Sequence, residues 1–218
     1  MLRLLAYIGR FFHGLAYQPN VETVCGYVKC RRIFSRTDKG VNAVANPADV
    51  EDFIGDFVYV RGEAIGKPRR KEYRYFLPQY YLRLFEEFLS LVPQRIPAIA
   101  FTPRPRKKTQ EIEVEILGDA IAFSSSGFEQ YAIRRLLGYF YRRTRGVMKE
   151  EEILEAFRGN VRRYPPLAPA EALALRRTDV EVDDGNRRRI EQRISSRCRY
   201  RAKRKRIIKD SKRINKPI

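Results

Sequence analysis

The sequence predicts an α+β fold in which two α/β halves share a largely antiparallel sheet. Candidate elements follow the order β, α, β and then α, β, β, α, α, β along the 218 residues. One β-hairpin is clearly marked, and the best helical patterns are amphipathic. The chain is 44% hydrophobic, which is enough to build a core in one large domain or in two small halves.

The first half is expected to contain a strand, a short helix and a second strand. Residues 2–8 form a short apolar run that fits a strand. Residues 21–30 fit a short helix, for which Asn20 is the predicted N-cap. Residues 73–77 form the second strand, through Tyr73 and Tyr75. Helix and strand remain alternative interpretations in parts of this half, because its apolar runs are short.

The second half begins with a helix and a hairpin. Residues 80–92 carry apolar side chains at helical spacing, and Pro93 ends the run. Residues 111–116 read EIEVEI, an alternation that is typical of a half-buried strand. A Gly-Asp turn then leads into a strand over residues 120–123, so the two segments predict a hairpin.

Two helices and a strand complete the second half. Residues 129–141 give the best helical pattern of the chain, with an apolar set every three or four residues. Residues 150–157 fit another short helix, and residues 172–182 fit a closing strand.

Positive charge is concentrated at the end of the chain. The sequence has 45 Lys and Arg against 26 Asp and Glu, a net charge of +19. Residues 187–218 hold 15 of the basic residues and two acids, which leaves 30 basic and 24 acidic residues, a net +6, in the rest. We therefore predict a basic tail over residues 185–218 that is partly helical or disordered. The excess charge indicates a polyanionic partner, either nucleic acid or an anionic membrane surface.

The composition argues against several classes of protein. No run of eighteen apolar residues occurs and the first residues lack the features of a secretory signal, so no membrane-spanning segment is expected. Three cysteines build no predicted disulfide framework and suit a reducing, cytoplasmic compartment. The single histidine, His13, excludes sites that need two. A zinc site from His13, Cys25, Cys30 and Cys198 is not expected, because their spacing is loose.

Common cofactor motifs are missing from the sequence. It contains no G-x-G-x-x-G and no P-loop pattern, so nothing marks a dinucleotide or nucleoside triphosphate site. It also contains no H-x-E or C-x-x-C, the signature of zinc-dependent base deaminases. We therefore predict neither a cofactor nor a metal ion.

Residues 35–43 read SRTDKGVNA and carry the most informative pattern. Asp38 stands between Arg36 and Lys39, and Gly40 follows at once, which predicts a tight turn that exposes a carboxylate in a positive field. Positive neighbours lower the pKa of a carboxylate, so we expect Asp38 to stay ionised, as a nucleophile or charge stabiliser must be. From these residues alone, an ordinary surface turn is the simpler interpretation.

A second pattern places tyrosines beside basic residues. Residues 71–75 read KEYRY, and residues 197–201 read RCRYR. A tyrosine ring can stack on a base while neighbouring cations contact phosphates. Since alternate residues of a strand point to opposite faces, Tyr73 and Arg74 would serve this purpose only in part.

Taken in order, these segments resemble the motifs of a known family. SRTDKGVNA resembles the G-R-T-D-x-G-V-H-A signature of the tRNA pseudouridine synthase A (TruA) family. Other segments that resemble family motifs are YIGR at 7–10, QPN at 18–20, TV at 23–24, RKEYRYF at 70–76, FEQYAIRRLLG at 128–138 and APA at 168–170. Together they cover residues 2–182, which is the body of the chain without its tail.

The resemblance implies a fold and a reaction. The fold is the α+β pseudouridine synthase architecture, with two ferredoxin-like halves that share a mixed or antiparallel sheet around a central cleft. Residues 1–78, with the catalytic loop, and residues 79–184 would form the halves. The reaction isomerises uridine to pseudouridine in tRNA, in the anticodon stem-loop at tRNA positions 38 to 40. The uracil detaches from C1′, rotates and rejoins through C5, and no cofactor takes part.

The resemblance also implies roles for individual residues. Asp38 matches the catalytic aspartate, Tyr73 the tyrosine that lies against the target base, and Arg134 the arginine that pairs with the aspartate. Whether the carboxylate attacks the sugar or abstracts a proton stays open. Extrusion from the stack is required before a stacked nucleotide can react. The residues expected to hold the nucleotide or the RNA are Arg36, Lys39, Arg10, Lys71, Arg74 and Arg135.

Several positions depart from the family pattern. Ile8, Arg10, Ser35 and Asn42 stand where the family usually has Asp, Thr, Gly and His. Two alternatives therefore stay open: an RNA-binding relative without catalytic activity, and a synthase that acts at another tRNA site or on ribosomal RNA. The resemblance also implies that the protein can form a homodimer.

Overall fold

The computed structural model of the chain describes residues 2–51, 53–63 and 70–176. The predicted basic tail lies outside the described residues, as does the second part of the predicted last strand, 177–182. In the described ranges the protein has mixed α+β architecture, which confirms the predicted fold class.

The described residues contain eleven strands and four α-helices. The strands are β1 (Leu2–Tyr7), β2 (Arg32–Ile33), β3 (Asn42–Asp49), β4 (Phe53–Ile54), β5 (Val58–Glu63), β6 (Lys71–Phe76), β7 (Arg95–Pro97), β8 (Thr109–Glu111), β9 (Glu113–Leu117), β10 (Ala120–Ser125) and β11 (Leu173–Arg176). The helices are α1 (Val24–Val28), α2 (Gln79–Leu89), α3 (Ala132–Thr144) and α4 (Glu150–Phe157), with 3-10 turns at Gly9–Phe11, Ala98–Ala100 and Ala170–Ala172.

One large sheet organises the described part of the chain. Its order is β4-β5-β1-β3-β11-β6-β10-β9, and β2 pairs with β3 beside this path. The pairs along this path are antiparallel except that of β3 with β11, which is parallel. Strands β7 and β8 form a separate ribbon. The parallel pair joins strands from the beginning and the end of the described chain in the middle of the sheet.

Helices α2 and α3 cover one face of the sheet. Phe85 of α2 packs against Phe123 of β10, with ring centroids 6.1 Å apart, and against Phe140 of α3 at 5.0 Å. The hydroxyl of Tyr75 on β6 lies 3.3 Å from that of Tyr141 on α3. Aromatic pairs of this kind add about 0.5–1.5 kcal/mol each to the stabilisation from buried area. None of the described helices is long and apolar enough to cross a bilayer.

Most elements with a strong sequence pattern are where the sequence predicts them. Strand β1, strand β6 and helix α2 agree with the predicted ranges to within a few residues. The predicted hairpin is formed by β9 and β10, which pair from Glu113 opposite Ser124 to Leu117 opposite Ala120. Helix α4 begins and ends at the predicted residues.

Two predicted helix starts are wrong. Helix α1 begins at Val24, and its N-cap is Thr23, whose hydroxyl accepts a hydrogen bond from the Gly26 amide at 3.1 Å. The predicted cap, Asn20, lies upstream with a φ of 65°. Helix α3 begins at Ala132 rather than three residues earlier, because Tyr131 has a left-handed backbone conformation with a φ of 63°.

Strands β2, β3, β4, β5 and β7 have no counterpart in the sequence prediction, and β3 is the longest of them. Strand β3 reads NAVANPAD and is almost wholly buried, so it shows no polar-apolar alternation. It also contains Asn46 and Pro47, residue types that usually indicate a turn. Pro47 is opposite Leu4 of β1 on one side of β3. On the other side the pairing with β11 stops at Ala43 and that with β2 starts at Ala48, so no strand pairs with Pro47 there.

The prediction that the cysteines form no disulfide is wrong for one pair. Cys25 and Cys30 are joined, and their Cα atoms are 4.8 Å apart. Helix α1 ends at Val28, and Lys29 has a φ of 53°, which turns the chain back toward Cys25. This reversal brings the two Cα atoms within the range that a disulfide requires. Neither cysteine is then a thiolate that could bind zinc.

Candidate active site

Asp38 lies in a tight turn in the loop between β2 and β3. The Val41 amide donates a hydrogen bond to the Asp38 carbonyl at 3.1 Å, and Gly40 has a φ of +80°. A positive φ at the third position is the mark of a type II turn and favours glycine. The tight turn predicted from the Asp-Lys-Gly sequence is therefore present.

Arg134 is the cation that reaches Asp38. Its Nη1 lies 3.5 Å from Asp38 Oδ2, and the side chains of Arg134 and Asp38 are 15% and 29% exposed. Arg134 stands in the first turn of α3, and its Nε donates to the Ala168 carbonyl at 2.8 Å. The Ala168 amide in turn donates to the Arg134 carbonyl at 2.9 Å. Since both the backbone and the side chain of Arg134 bind Ala168, the guanidinium is held in place against Asp38.

The pKa of Asp38 is raised above its ordinary value, contrary to the prediction from the flanking charges. Burial is the larger effect, and the charge and hydrogen bond of Arg134 oppose it. The adjacent Lys39 is exposed, and its Nζ lies 2.7 Å from Nε2 of His13. Arg36 is exposed as well. Arg134, rather than Arg36 or Lys39, is therefore the cation that stabilises the ionised Asp38 carboxylate.

Tyr73 reaches the same loop from strand β6. Its hydroxyl donates to the Arg36 carbonyl at 3.3 Å, and its ring meets Phe128 edge to face at 5.4 Å. The side chain is buried, and burial raises the pKa of its phenol, with smaller contributions from Tyr7 and from the Asp38 charge. Tyr73 is thus a neutral phenol at physiological pH. Its pKa is affected by the Asp38 charge, and its hydroxyl is bound to the backbone of the Asp38 loop.

Buried polar side chains from the sheet fix the residues that precede Asp38. The Tyr7 hydroxyl lies 2.7 Å from Oγ1 of Thr37. Asn46 donates through Nδ2 to the Ser35 carbonyl at 3.1 Å and to the Tyr7 hydroxyl at 3.4 Å. Burial raises the pKa of Tyr7 to about 12, so it remains a neutral hydrogen-bonding group. The loop is therefore attached to β1 and β3 as well as to β6.

The segment that follows β1 packs against the back of the Asp38 loop. The Leu15 amide donates to the Thr37 carbonyl at 3.4 Å, and the Gly40 amide donates to the Phe12 carbonyl at 3.3 Å. Gly14 has a φ of +103°, and a Cβ placed on it would lie 2.6 Å from the Thr37 carbonyl oxygen. This approach requires a glycine, because any side chain would displace the loop.

Asn42, which stands where the family usually has histidine, connects three segments. Its Oδ1 accepts from the Gly9 amide at 3.0 Å. Its Nδ2 donates to the carbonyls of Glu171 at 2.9 Å and Leu173 at 3.3 Å. The side chain is buried, so these bonds satisfy the whole amide group without help from solvent.

The predicted RNA-contacting residues do not all lie near Asp38. Arg10 is exposed in the 3-10 turn at Gly9–Phe11, with its guanidinium over the Phe11 ring at 4.4 Å. Lys71 lies two residues before Tyr73 on the same strand, opposite Ser125. Arg10 therefore lies in the turn that follows β1, and Lys71 lies on the strand that carries Tyr73.

Arg74 and Arg135 have protein partners of their own. Arg74 lies on the sheet face opposite Tyr73, as the alternation predicts, and its Nε binds Glu72 at 2.8 Å. Arg135 donates to the carbonyls of Phe101 and Pro165, and its guanidinium lies 5.0 Å from the centre of the Tyr164 ring. Both arginines thus contribute to the packing of the body.

Sequence reasoning missed Thr37 and Asn46 as parts of the site. Their contacts join residues 11 to 39 positions apart, which no local spacing encodes. The one signal in the sequence was the position of Asn46 inside an otherwise apolar run, because a polar residue in a buried strand must be hydrogen-bonded there.

The mixed α+β architecture with one large mixed sheet is consistent with the pseudouridine synthase fold. No family profile matches the chain. The sequence is, however, similar to three curated proteins, and each of them is named tRNA pseudouridine synthase A.

The relatives come from archaea. The chain is 28% identical to the protein of Pyrobaculum islandicum, over 82% of each chain. It is 29% identical to that of Pyrococcus horikoshii, over 78% of this chain and 81% of the relative. It is 26% identical to that of Pyrococcus furiosus, over 91% and 92%. Over most of its length the chain is therefore similar to proteins named tRNA pseudouridine synthase A, which are isomerases, and this similarity supports the family resemblance of its motifs.

Proposed function

We propose that this protein isomerises uridine to pseudouridine in tRNA, in the anticodon stem-loop at tRNA positions 38 to 40. The observation that carries the proposal is the half-buried pair of Asp38 and Arg134, 3.5 Å apart, in a loop that also contacts Tyr73. The names of the three relatives support tRNA as the substrate. The choice of stem-loop rests on the family resemblance of the sequence.

In the proposed reaction, the bond between N1 of uracil and C1′ of the ribose breaks. The detached base rotates, C5 forms the new bond to C1′, and the proton on C5 is lost while N1 gains one, so the product is an isomer of the substrate. Asp38 is the group that acts at the ribosyl–uracil link. The Asp38 side chain is 29% exposed, so it is open to a nucleotide extruded from the stack.

Arg134 and Tyr73 have the other two roles in the proposed reaction. Arg134 opposes the effect of burial on the Asp38 pKa, and so favours the ionised form that the reaction requires. Tyr73 offers a neutral ring and hydroxyl against the target base. Arg36 is exposed on the same loop, where it can fill the space that an extruded nucleotide leaves in the RNA.

An activity assay on unmodified tRNA tests the proposal. Transcripts are incubated with the protein, and pseudouridine is mapped by carbodiimide-dependent stops in primer extension. We expect stops at tRNA positions 38 to 40 with the wild-type protein and none with Asp38→Ala. The matched control is Asp56→Ala, an exposed aspartate outside the site, which should retain full activity.

Other outcomes select the alternatives. A wild-type protein that binds tRNA without producing any stop would be an RNA-binding relative without catalysis. Stops elsewhere in tRNA, or in ribosomal RNA alone, would identify a synthase that acts at another site. Stops that survive Asp38→Ala would remove Asp38 from the reaction.

We also propose that the body consists of two ferredoxin-like halves, residues 1–78 and 79–184, with a cleft between them. The parallel pairing of β3 with β11 supports a junction in the middle of the sheet. Strand β6 precedes residue 78 but lies between β11 and β10, so the halves interlock. We expect the two fragments to fold only when they are expressed together, as judged by their circular dichroism; a folded separate fragment would refute the interlocked arrangement.

The basic tail is proposed to bind the RNA backbone. Residues 187–218 carry a net charge of +13, from 15 basic and two acidic residues. Removing them should weaken tRNA binding and flatten its dependence on salt, because fewer counterions are released. The rate at saturating RNA should stay the same. An unchanged salt dependence in the truncated protein would refute this role.

The remaining parts of the proposal concern assembly and location. We propose a homodimer, which rests on the family resemblance, and take Tyr17 and Tyr27, 71% and 53% exposed, as its candidate contacts. Sedimentation velocity should show a dimer that Tyr17→Ser and Tyr27→Ser together dissociate, and a monomeric wild-type protein would refute it. A tRNA substrate also suggests a cytoplasmic location, which cell fractionation would test.

A further inference from the structure

A strongly basic loop beside the site has no role in the function described so far. Residues 103–108, which we call the PRPRKK loop, connect the 3-10 turn at Ala98–Ala100 with strand β8. All six of its residues are exposed, and four of them are basic: Arg104, Arg106, Lys107 and Lys108. The loop contains no acidic residue.

The PRPRKK loop is attached to the segment that leads into α3. The Arg106 amide donates to the buried carboxylate of Glu129 at 3.2 Å. Lys107 Nζ donates to the Gly127 carbonyl at 2.8 Å. Two independent bonds therefore hold the middle of the loop against residues 127–129.

Both ends of the loop are fixed as well. On one side, the Phe101 carbonyl accepts from Arg135 Nε at 3.3 Å. On the other side, the buried Gln110 side chain accepts from the Glu129 amide at 2.7 Å and donates to the Gly127 carbonyl at 3.1 Å. These attachments fix the backbone of the loop at its middle and at both ends, so the loop presents its cations on one part of the surface.

The segment that holds the loop also forms one wall of the proposed active site. Phe128 packs edge to face on Tyr73, and Arg134 follows in the first turn of α3. The backbone of the PRPRKK loop is therefore connected, through residues 127–129, to the elements that carry Tyr73 and Arg134. Within the described part of the chain, the side chains of Arg104, Arg106 and Lys108 have no hydrogen-bond or ion-pair partner, so their charges are available to a ligand.

We propose that the PRPRKK loop binds the sugar–phosphate backbone of the substrate RNA beside the reacting nucleotide. This inference rests on the proposed function for the identity of its ligand. Arginine and lysine contacts to phosphates fix the register of a protein on a nucleic acid without reading its sequence. Cations on a loop that is attached to the active-site wall thus add affinity for the RNA backbone beside Asp38.

The test compares two triple variants of the full-length protein. In Arg104→Gln, Arg106→Gln, Lys108→Gln the loop loses three charges but keeps Lys107, which is bound to Gly127. The matched control removes three exposed charges from other elements: Arg83→Gln, Arg145→Gln, Arg158→Gln. The dissociation constant of unmodified tRNA is measured for each from about 0.05 to 0.3 M salt, and thermal unfolding confirms that both variants are folded.

We expect the loop variant to bind tRNA at least about tenfold more weakly than the control near physiological salt. Its slope of log Kd against log salt should be smaller by about 2 to 3, since each lost phosphate contact removes about 0.9. Its single-turnover rate at saturating RNA should equal that of the wild type. Equal slopes and affinities in the two triple variants would overturn the proposal, and so would a fall in rate without a change in affinity.

The proposed function can fail separately. A wild-type protein that forms no pseudouridine refutes the catalytic proposal, yet the comparison of affinities and salt slopes still decides whether the PRPRKK loop binds RNA.

Discussion

At the scale of single residues, the site balances the burial of a carboxylate against one cation. Burial raises the pKa of Asp38, and Arg134 offsets part of that effect at a distance of 3.5 Å. A charged group that is disfavoured in the folded protein is a usual property of active sites, where stability is given up for reactivity. Substitutions of Asp38 and of Arg134 should therefore have separate effects, the first on stability and the second on the pH dependence of activity.

Removing the cation should change the pH dependence of the reaction. If the ionised carboxylate is the active form, activity is lost as the pH falls through the raised pKa of Asp38. Arg134→Gln removes the charge that lowers this pKa, so the acid limb of the pH–rate profile should move to higher pH. The maximal rate should also fall by about 10²–10³-fold.

Single-turnover release of tritium from 5-tritiated uridine in tRNA, measured across pH, would detect both changes. Arg83→Gln, an exposed arginine on α2, should leave the profile as it is in the wild type. An acid limb that stays in place in Arg134→Gln would mean that Arg134 does not act through the ionisation of Asp38.

Removing the carboxylate should make the protein more stable at neutral pH. In the folded state Asp38 binds its proton more tightly than in the unfolded chain, so stability falls as the pH rises from the ordinary value of 3.8 through the raised pKa. Asp38→Asn cannot ionise and avoids this loss. Urea midpoints should therefore be higher for Asp38→Asn than for wild type at pH 7, and equal at about pH 3.5.

The exposed Asp56 serves as the control for this comparison, because Asp56→Asn should leave the midpoint almost unchanged at both pH values. A lower midpoint for Asp38→Asn at pH 7 would show that the attraction between Asp38 and Arg134 outweighs burial.

At the scale of elements, the Asp38 loop is shaped by its neighbours more than by its own sequence. Strands β1, β3 and β6 each provide a buried hydrogen-bonding side chain to residues 35–37. The segment at 9–15 packs against the back of the loop and contacts Thr37 and Gly40 through its backbone. Because these contacts join backbone to backbone, the segment at 9–15 cannot accept an added side chain there without moving the loop.

Gly14→Ala should therefore disturb both folding and activity. Its Cβ would meet the Thr37 carbonyl oxygen at 2.6 Å, and its φ of +103° is strained for any other residue. We expect a loss of about 2–3 kcal/mol of stability, which is within the range of strained backbone positions and overpacking. A displaced Asp38 should also lower the single-turnover rate by about 100-fold.

Gly118→Ala is a suitable comparison, because a Cβ at Gly118 would meet nothing within 4 Å. Denaturant unfolding and the tritium-release assay measure the two effects. If Gly14→Ala and Gly118→Ala had similar stability and rates, the segment at 9–15 would not be positioning the loop.

Elements with a regular local pattern could be predicted from the sequence. Helix α4 and the β9–β10 hairpin have such patterns and lie where they are expected. Strand β3 could not be predicted, because burial on both faces removes the alternation and its Asn and Pro suggest a turn. In the site, the Asp38 turn follows from local chemistry, whereas its pairing with Arg134 spans 96 residues and came only from the family resemblance. The sign of the Asp38 pKa shift depends on burial, which the flanking residues do not reveal.

At the scale of the whole molecule, the last described strand holds the sheet together. Strand β11 pairs with β3 on one side and with β6 on the other, so it joins strands from both parts of the chain. Asn42 strengthens this junction, since its amide binds Gly9 next to β1 and the carbonyls of Glu171 and Leu173 next to β11.

Asn42→Ala should be among the more costly substitutions in the protein. It leaves one buried amide and two carbonyls without their side-chain partner, which should cost about 2–4 kcal/mol. Asn160→Ala, which removes an exposed amide bound to Glu155, should cost less than about 0.5 kcal/mol. Urea unfolding of both variants gives the comparison, and equal costs would show that the junction does not depend on Asn42.

The central position of β11 has a consequence for biosynthesis. Asn42 and Leu173 are 131 residues apart, and Ala168, which holds Arg134, also lies near the end of the body. A nascent chain that has not yet released these residues from the ribosome lacks both the strand that completes the sheet and the carbonyl that fixes the arginine. Long-range contacts of this kind form late, because the intervening chain must first be ordered. The Asp38–Arg134 pair is therefore assembled only when translation of the body is nearly complete.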